Sequence, residues 1–507
     1  MKFIGMLMAL FALTGLAAAD PVVTTDSGRI EGLIHGDIAE YRGVPFAQPP
    51  LAGLRWQAPR PVKHWPGIRK ANQFPAQCSQ LGPPLPTMPE EPTSEDCLYL
   101  NLWTPAIEPP QKLPVMVFFY GGGFVRGSAS TPLYASGGLT QATGVIVVTV
   151  NYRLGALGFL AHPELSAESP HHTSGNYALL DAIAGLKWVK RNISAFGGDP
   201  DCVTIFGQSA GSYLINKLMI SPPARGLFHA VIAESSADMG PTGTNEGLAT
   251  LADAEKAGVA FARSLGARSI TELRRVSAEK ITASDFAGLP GIYGSSQTLP
   301  IVDGYLIPRD THASYLAGQQ APVPLLLGYN LDEGQYFESP TTVAEYFSKV
   351  SARYGIFAER MEAAYPAHTD EEAAHAQSQL TAEHAFGWQM WSWARANASS
   401  SHQKTYFYFF SSKYGNGHGA ELPYVFQYPF DGPWNDEQRD IGRKIVAYWT
   451  QFAKTGDPNR TDLPPWPSFD IHSNATMLLG DQFESGTTPE LDQHALMEEY
   501  MNSKRTH

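Results

Sequence analysis

The sequence predicts an α/β fold: a large, mostly parallel central sheet flanked by helices, with helical insertions over the edge where the strands end. Three observations lead there. Short apolar runs without polar alternation recur along the chain, as strands buried on both faces require. Helix-like stretches separate these runs, and strand–helix–strand repetition builds a parallel sheet. Two longer, mostly helical stretches interrupt the series without a Gly/Ser-rich linker, which marks them as insertions.

Residues 1–19 read as a leader. Lys2 supplies the positive start, 3–16 an apolar run, and Ala17, Ala18 and Ala19 a small-residue cleavage site before Asp20. The run falls short of the ~20 apolar residues that span a bilayer, and no later segment is apolar enough to span. An exported chain without a membrane span is expected, with residues 20–507 forming one domain.

The strand candidates are 115–120, 145–150, 203–206, 230–233, 324–328 and 405–410. Helices are expected over 177–192 and 209–220. A long one over 436–454 is stopped by Gly456 and Pro458. The interrupting stretches are 242–301 and 341–404, which would cover the carboxyl edge of the sheet, where ligands bind in such folds.

Composition excludes several classes. With 43% hydrophobic and 17% charged residues the chain is neither disordered nor fibrous. The net charge is −13 with no basic stripe, which argues against a nucleic-acid partner. Among the three cysteines, Cys202 precedes an apolar run and reads as a buried, inert thiol. No Cys-x-x-Cys pair or histidine cluster points to a metal.

Gly207-Gln208-Ser209-Ala210-Gly211 fits Gly-x-Ser-x-Gly, with a strand run before it and a helix run after it. Such a strand-to-helix turn presents a serine hydroxyl at the sheet edge and needs small neighbours, because backbones pack closely there. A serine needs a base to take its proton. The base is expected late in the chain, and His418, in a Gly-rich loop after the 405–410 strand, is the best placed. Asp332 and Glu333 both fit the acid by spacing. Gly121, Gly122 and Gly123 follow another strand, where backbone amides could approach a tetrahedral oxyanion together with that of Ala210. No Lys-Ser/Thr follows these glycines, so a nucleotide loop is disfavoured.

Together these pieces resemble the type-B carboxylesterase and cholinesterase family of α/β-hydrolases. The resemblance extends over about 22–469. It rests on Tyr41-Arg42-Gly43-Val44-Pro45-Phe46-Ala47, Glu95-Asp96-Cys97-Leu98-Tyr99-Leu100-Asn101, Asn151-Tyr152-Arg153-Leu154-Gly155, Phe196-Gly197-Gly198-Asp199-Pro200 and Phe452-Ala453-Lys454-Thr455-Gly456-Asp457-Pro458. It implies the α/β-hydrolase fold and an esterase with a Ser209–His418–Glu333 triad. It also implies an oxyanion hole of Gly122, Gly123 and Ala210, and Ser235 as a supporting buried serine. The substrate would be a small-molecule ester, with no cofactor needed. A Cys78–Cys97 disulfide and the ion pairs Arg42–Glu95 and Arg153–Asp181 are implied as well.

Three departures bear on substrate. Gln208 stands where most members carry Glu, and the 78–97 loop lacks the Trp with which cholinesterases hold a quaternary ammonium. Thr242 stands where acetylcholinesterases have an acyl-pocket Trp. Phe124, Tyr336 and Phe337 are further candidates to line the substrate. Broad neutral esters are therefore expected rather than choline esters, with a specialist for aromatic or bulky-acyl esters as the alternative. A non-catalytic adhesion member is disfavoured, because all three triad residues are present.

Overall fold

A computed structural model describes residues 20–80, 91–106, 111–283, 297–334, 339–430 and 432–505. The leader reading at 1–19 and the candidates Tyr336 and Phe337 lie outside the described residues.

Among the described residues, eleven strands form the central sheet. In chain order they are β1 (Leu33–His35), β2 (Ile38–Pro45), β3 (Tyr99–Pro105), β4 (Leu113–Phe119), β5 (Ile146–Val150), β6 (Gly198–Gln208), β7 (Ala230–Glu234), β8 (Leu325–Asn330), β9 (Thr405–Ser411), β10 (Ala475–Gly480) and β11 (Glu484–Thr487). Across the sheet they run β11-β10-β9-β8-β7-β6-β4-β5-β3-β2-β1. The stretch from β5 to β10 is parallel throughout. All of its strands but β10 are apolar runs legible in the sequence; β5, β7 and β8 are buried at every position. Antiparallel strands complete both edges. These outer strands escape the sequence reading because they mix polar and apolar residues, as in Tyr-Leu-Asn-Leu-Trp-Thr-Pro of β3.

The helices follow local rules. α1 (Tyr177–Asn192) ends on Lys190 and Arg191, favourable at the negative pole of a helix. α2 (Ala210–Ile220) starts one residue later than expected, because Ser209 is its N-cap with φ 58° and ψ −125°. The described residues of the 242–301 and 341–404 stretches carry the expected helices, among them α3 (Leu251–Ser264), α4 (Val343–Tyr354), α5 (Asp370–Ala382) and α6 (Trp388–Ser400). A π-helical turn, Glu383–Gly387, joins α5 to α6. α7 (Asp436–Thr455) is fixed by an Asn435/Gln438 capping box and stopped by Gly456 at φ 73°.

Cys78 and Cys97 are joined by a disulfide. Cys202 is a free, half-buried thiol whose pKa is raised by burial and by Asp199. Arg153 and Asp181 pair as expected, with Nε and Nη2 at 2.8 and 2.7 Å from the two carboxylate oxygens. The other expected pair is corrected. Glu95 receives Arg55, through Nε at 2.6 Å and Nη2 at 2.5 Å, whereas Arg42 pairs with Glu40. The reason is burial. The Arg55 side chain is 7% exposed and satisfied also by the Val276 carbonyl, while that of Arg42 is 24% exposed and lies over the Phe74 ring.

Candidate active site

The parallel strands bring the sequence candidates to one edge. β6 ends at Gln208, and Ser209 turns the chain into α2 with a positive φ that a non-glycine residue adopts only under constraint. The turn is held by the Ser209 N–H, which donates to the Glu234 carbonyl at the end of β7 at 2.8 Å. Its glycines are sterically required: a Cβ at Gly211 would sit 1.9 Å from the Phe119 carbonyl oxygen, and one at Gly207 2.6 Å from it.

β4 delivers the glycine loop. A Cβ on Gly121 would lie 2.8 Å from Ser209 Cβ, so the loop passes directly over the serine. Gly122 and Gly123 adopt φ 116° and 63°. Ala210 is the first residue of α2, where a backbone N–H has no acceptor within the helix. Gly121 and Ala210 thus adjoin Ser209, and Gly122 and Gly123 follow in the same loop.

The segments that follow β8 and β9 bring Glu333 and His418 together. His418 Nδ1 lies 2.5 Å from Glu333 Oε2, with the Glu333 side chain 1% exposed. Glu333 Oε1 accepts the Asn330 N–H at 2.7 Å. The residues alone left Asp332 and Glu333 open; the geometry brings Glu333 to the imidazole. Asp332 contributes its backbone, donating N–H to the Asn416 carbonyl at 2.9 Å. Asn330 Nδ2 adds a bond to the Gly417 carbonyl at 2.9 Å, tying the acid turn to the histidine loop. Gln208 Nε2 lies 3.1 Å from His418 Nε2, and the Phe386 ring packs 4.6 Å from the imidazole.

Two carboxyl groups that sequence reasoning missed surround this pair. Glu421, buried three residues beyond His418, accepts from Asn330 Nδ2 at 2.5 Å. Burial, and then the charge of Glu333, push its carboxyl up to about 7. Glu234, fully buried at the end of β7, accepts from Trp449 Nε1 at 2.8 Å. Burial, and then Glu421, raise it well above the ordinary range. Low dielectric disfavours several adjacent negative charges, so these two groups hold their protons most readily. A Glu shortly after the histidine and one ending a strand run were the available signals. Neither is informative until the strands are assembled.

The remaining candidates separate. Ser235 is fully buried with φ 54°, and its hydroxyl has no hydrogen-bond partner among the described residues. Thr242 is half-buried and donates its N–H to Asp310 Oδ2 at 2.9 Å. Phe124 is 1% exposed, its ring edge-on to Phe159 and Tyr213 at 5.1 and 5.5 Å. Its ring belongs to the main hydrophobic core.

A serine at a strained strand-to-helix turn on such a sheet, with a carboxylate-bound histidine on later strands, defines the α/β-hydrolases. The profile of the Carboxylesterase family matches residues 19–498. The chain is 36% identical over 485 residues to fumonisin B1 esterase of Sphingopyxis macrogoltabida, covering 91% of this chain and 87% of that one. It is 34% identical over 496 residues to para-nitrobenzyl esterase of Bacillus subtilis (strain 168), covering 92% and 96%. A solved structure of PNB esterase superposes with a TM-score of 0.81 at 32% identity, over 94% of this chain and all of that one. The chain belongs to the carboxylesterase family and is a serine hydrolase acting on carboxylic esters. No helix among the described residues is long and apolar enough to cross a membrane.

Proposed function

We propose that the chain hydrolyses neutral small-molecule carboxylic esters through a Ser209–His418–Glu333 triad and an acyl-enzyme intermediate. The observation that carries this reading is the 2.5 Å contact of His418 Nδ1 with Glu333. With the Nδ1 proton committed there, Nε2 carries the lone pair, which takes the Ser209 proton in place of its 3.1 Å contact with the Gln208 amide.

Ser209 Oγ attacks the ester carbonyl while Nε2 accepts its proton, and the amides of Gly122, Gly123 and Ala210 receive the oxyanion. The imidazolium then protonates the departing alcohol. A water molecule, deprotonated at Nε2, attacks the acyl-enzyme, and the acid leaves with Ser209 regenerated. Glu333 fixes the tautomer and stabilises the imidazolium. Residues 20–507 act as one hydrolase domain after removal of the leader, and the Cys78–Cys97 disulfide suits export to an oxidising compartment.

Gln208, which brings no charge beside Ser209, and a 78–97 loop without Trp favour neutral over cationic substrates, while the small Thr242 admits a bulkier acyl group. Para-nitrophenyl acetate, butyrate and octanoate test the reading with wild type and Ser209→Ala. Hydrolysis by wild type should fall by about 10⁶-fold in the variant, the loss measured when a hydrolase loses its serine. Turnover retained by Ser209→Ala overturns the assignment. Mass analysis of the secreted chain checks the leader; a mature protein that keeps residues 1–19 refutes export with cleavage.

A further inference from the structure

Every residue of α2 is buried, and one of them is Lys217. A buried ammonium is generally less stabilising than an apolar side chain of similar size, so its presence calls for a reason in what it holds. Lys217 Nζ donates to Asp238 Oδ2 at 2.8 Å, Thr311 Oγ1 at 2.7 Å, Asn216 Oδ1 at 2.9 Å and the Asp238 carbonyl at 3.1 Å. The Lys217 and Asp238 side chains are 0% and 3% exposed.

These partners belong to different segments, and two of them lead to Thr242. Asp238 lies in the segment leaving β7, four residues before Thr242. Thr311 begins the short helix Thr311–Leu316, whose N-cap Asp310 divides its carboxylate between the Ala313 N–H and the Thr242 N–H, at 2.8 and 2.9 Å. The Lys217 ammonium therefore joins the helix that starts at Ser209 to both supports of residues 239–242. A purely local anchor would need only one.

We propose that Lys217 and Asp238 are positioning residues for acyl selectivity: their ion pair sets where Thr242 stands relative to Ser209, and so which acyl groups the serine accepts. This rests on the reading that Thr242 borders the acyl side of the site. Removing the pair moves that wall without touching Ser209, His418 or Glu333. Its signature is a changed preference between acyl chains rather than a uniform loss.

The test compares kcat/KM for para-nitrophenyl acetate, butyrate and octanoate in wild type, Lys217→Met/Asp238→Leu, Thr311→Val and Thr242→Trp. The double variant replaces the pair with apolar groups and leaves no unpaired buried charge. Thr311→Val removes the hydroxyl that accepts from Lys217 and donates to Asp238 Oδ2 at 3.3 Å but keeps the ion pair, and it decides the matter should the double variant fail to fold. Both should retain acetate turnover within about threefold while the butyrate-to-acetate ratio shifts, by about tenfold in the double variant and less in Thr311→Val. Proportional losses on all three esters, or unchanged ratios in a folded variant, overturn the proposal. Thr242→Trp separates the two levels. If it leaves the ratios unchanged, the acyl-side reading fails and the proposal with it. If it alone changes them, the reading stands and the positioning role is refuted.

Discussion

Gln208 and His418 touch: the amide Nε2 of the residue preceding Ser209 lies 3.1 Å from the imidazole Nε2. With Nδ1–H given to Glu333, that nitrogen accepts, and the Gln208 amide donates to it. An amide in this place holds the lone pair of the neutral imidazole until Ser209 takes its place, and it adds no charge. In Gln208→Glu a carboxylate would favour the imidazolium instead, as an opposite charge at such range does. At neutral pH, kcat/KM for para-nitrophenyl butyrate should fall by about tenfold. An unchanged kcat/KM in a folded Gln208→Glu enzyme would show that the contact has no electrostatic effect on the imidazole.

The two adjacent carboxylates 332 and 333 should differ sharply. Glu333→Gln leaves the geometry but removes the acceptor that fixes the tautomer, with an expected loss of about 10⁴-fold in kcat. Asp332→Asn leaves the Glu333–His418 contact in place and should stay within about threefold. Steady-state kinetics on para-nitrophenyl butyrate read both, and a reversed order would reassign the acid.

Glu421 makes stability depend on pH. Its carboxyl holds a proton up to about 7 in the folded protein, against an ordinary 4.5. A raised carboxyl contributes stability that is fully present below the unfolded value and lost as pH rises through the folded value. Stability from this group therefore declines between pH 4.5 and about 7. Glu421→Gln imitates the protonated form and should flatten that slope in urea unfolding measured across this window. Parallel slopes for the two proteins would assign the dependence to other groups.

The corrected ion pair has a consequence for folding. Arg55→Met strands the Glu95 carboxylate beside the disulfide and should cost about 3–5 kcal/mol. Arg42→Met, on a side chain 24% exposed, should cost well under half of that. Adding Glu95→Leu to Arg55→Met should restore most of the loss. Equal losses for the two arginine variants would argue against the Arg55–Glu95 assignment.

Cys78 and Cys97 lie 19 residues apart, and a cross-link of that span restricts the unfolded chain by about 3 kcal/mol on the chain-entropy account. Cys78→Ser/Cys97→Ser should lower denaturation stability by this amount, whereas Cys202→Ser should leave the non-reduced mass map unchanged. A stability equal to wild type in the double serine variant would indicate native strain that offsets the entropy.

The sequence by itself determined the parallel core, the elbow serine and the two insertions. Each is written in contiguous residues: apolar runs such as Ile-Val-Val-Thr-Val of β5, glycines flanking Ser209, and helical periodicity over 177–192. It named His418 from a glycine loop after a strand, and it narrowed the acid to two neighbours. Which neighbour meets the imidazole depended on how the turn after β8 sets down against the His418 loop, a relation across 85 residues. The same is true of Arg55 displacing Arg42 at Glu95, of the buried Glu421 and Glu234 behind the acid, and of Lys217 reaching Thr311. Strands and turns follow from local sterics and hydrophobic pattern, which neighbouring residues encode. Partners of buried charges follow from the packing of distant segments, where desolvation selects whichever group of opposite charge is both near and shielded from water.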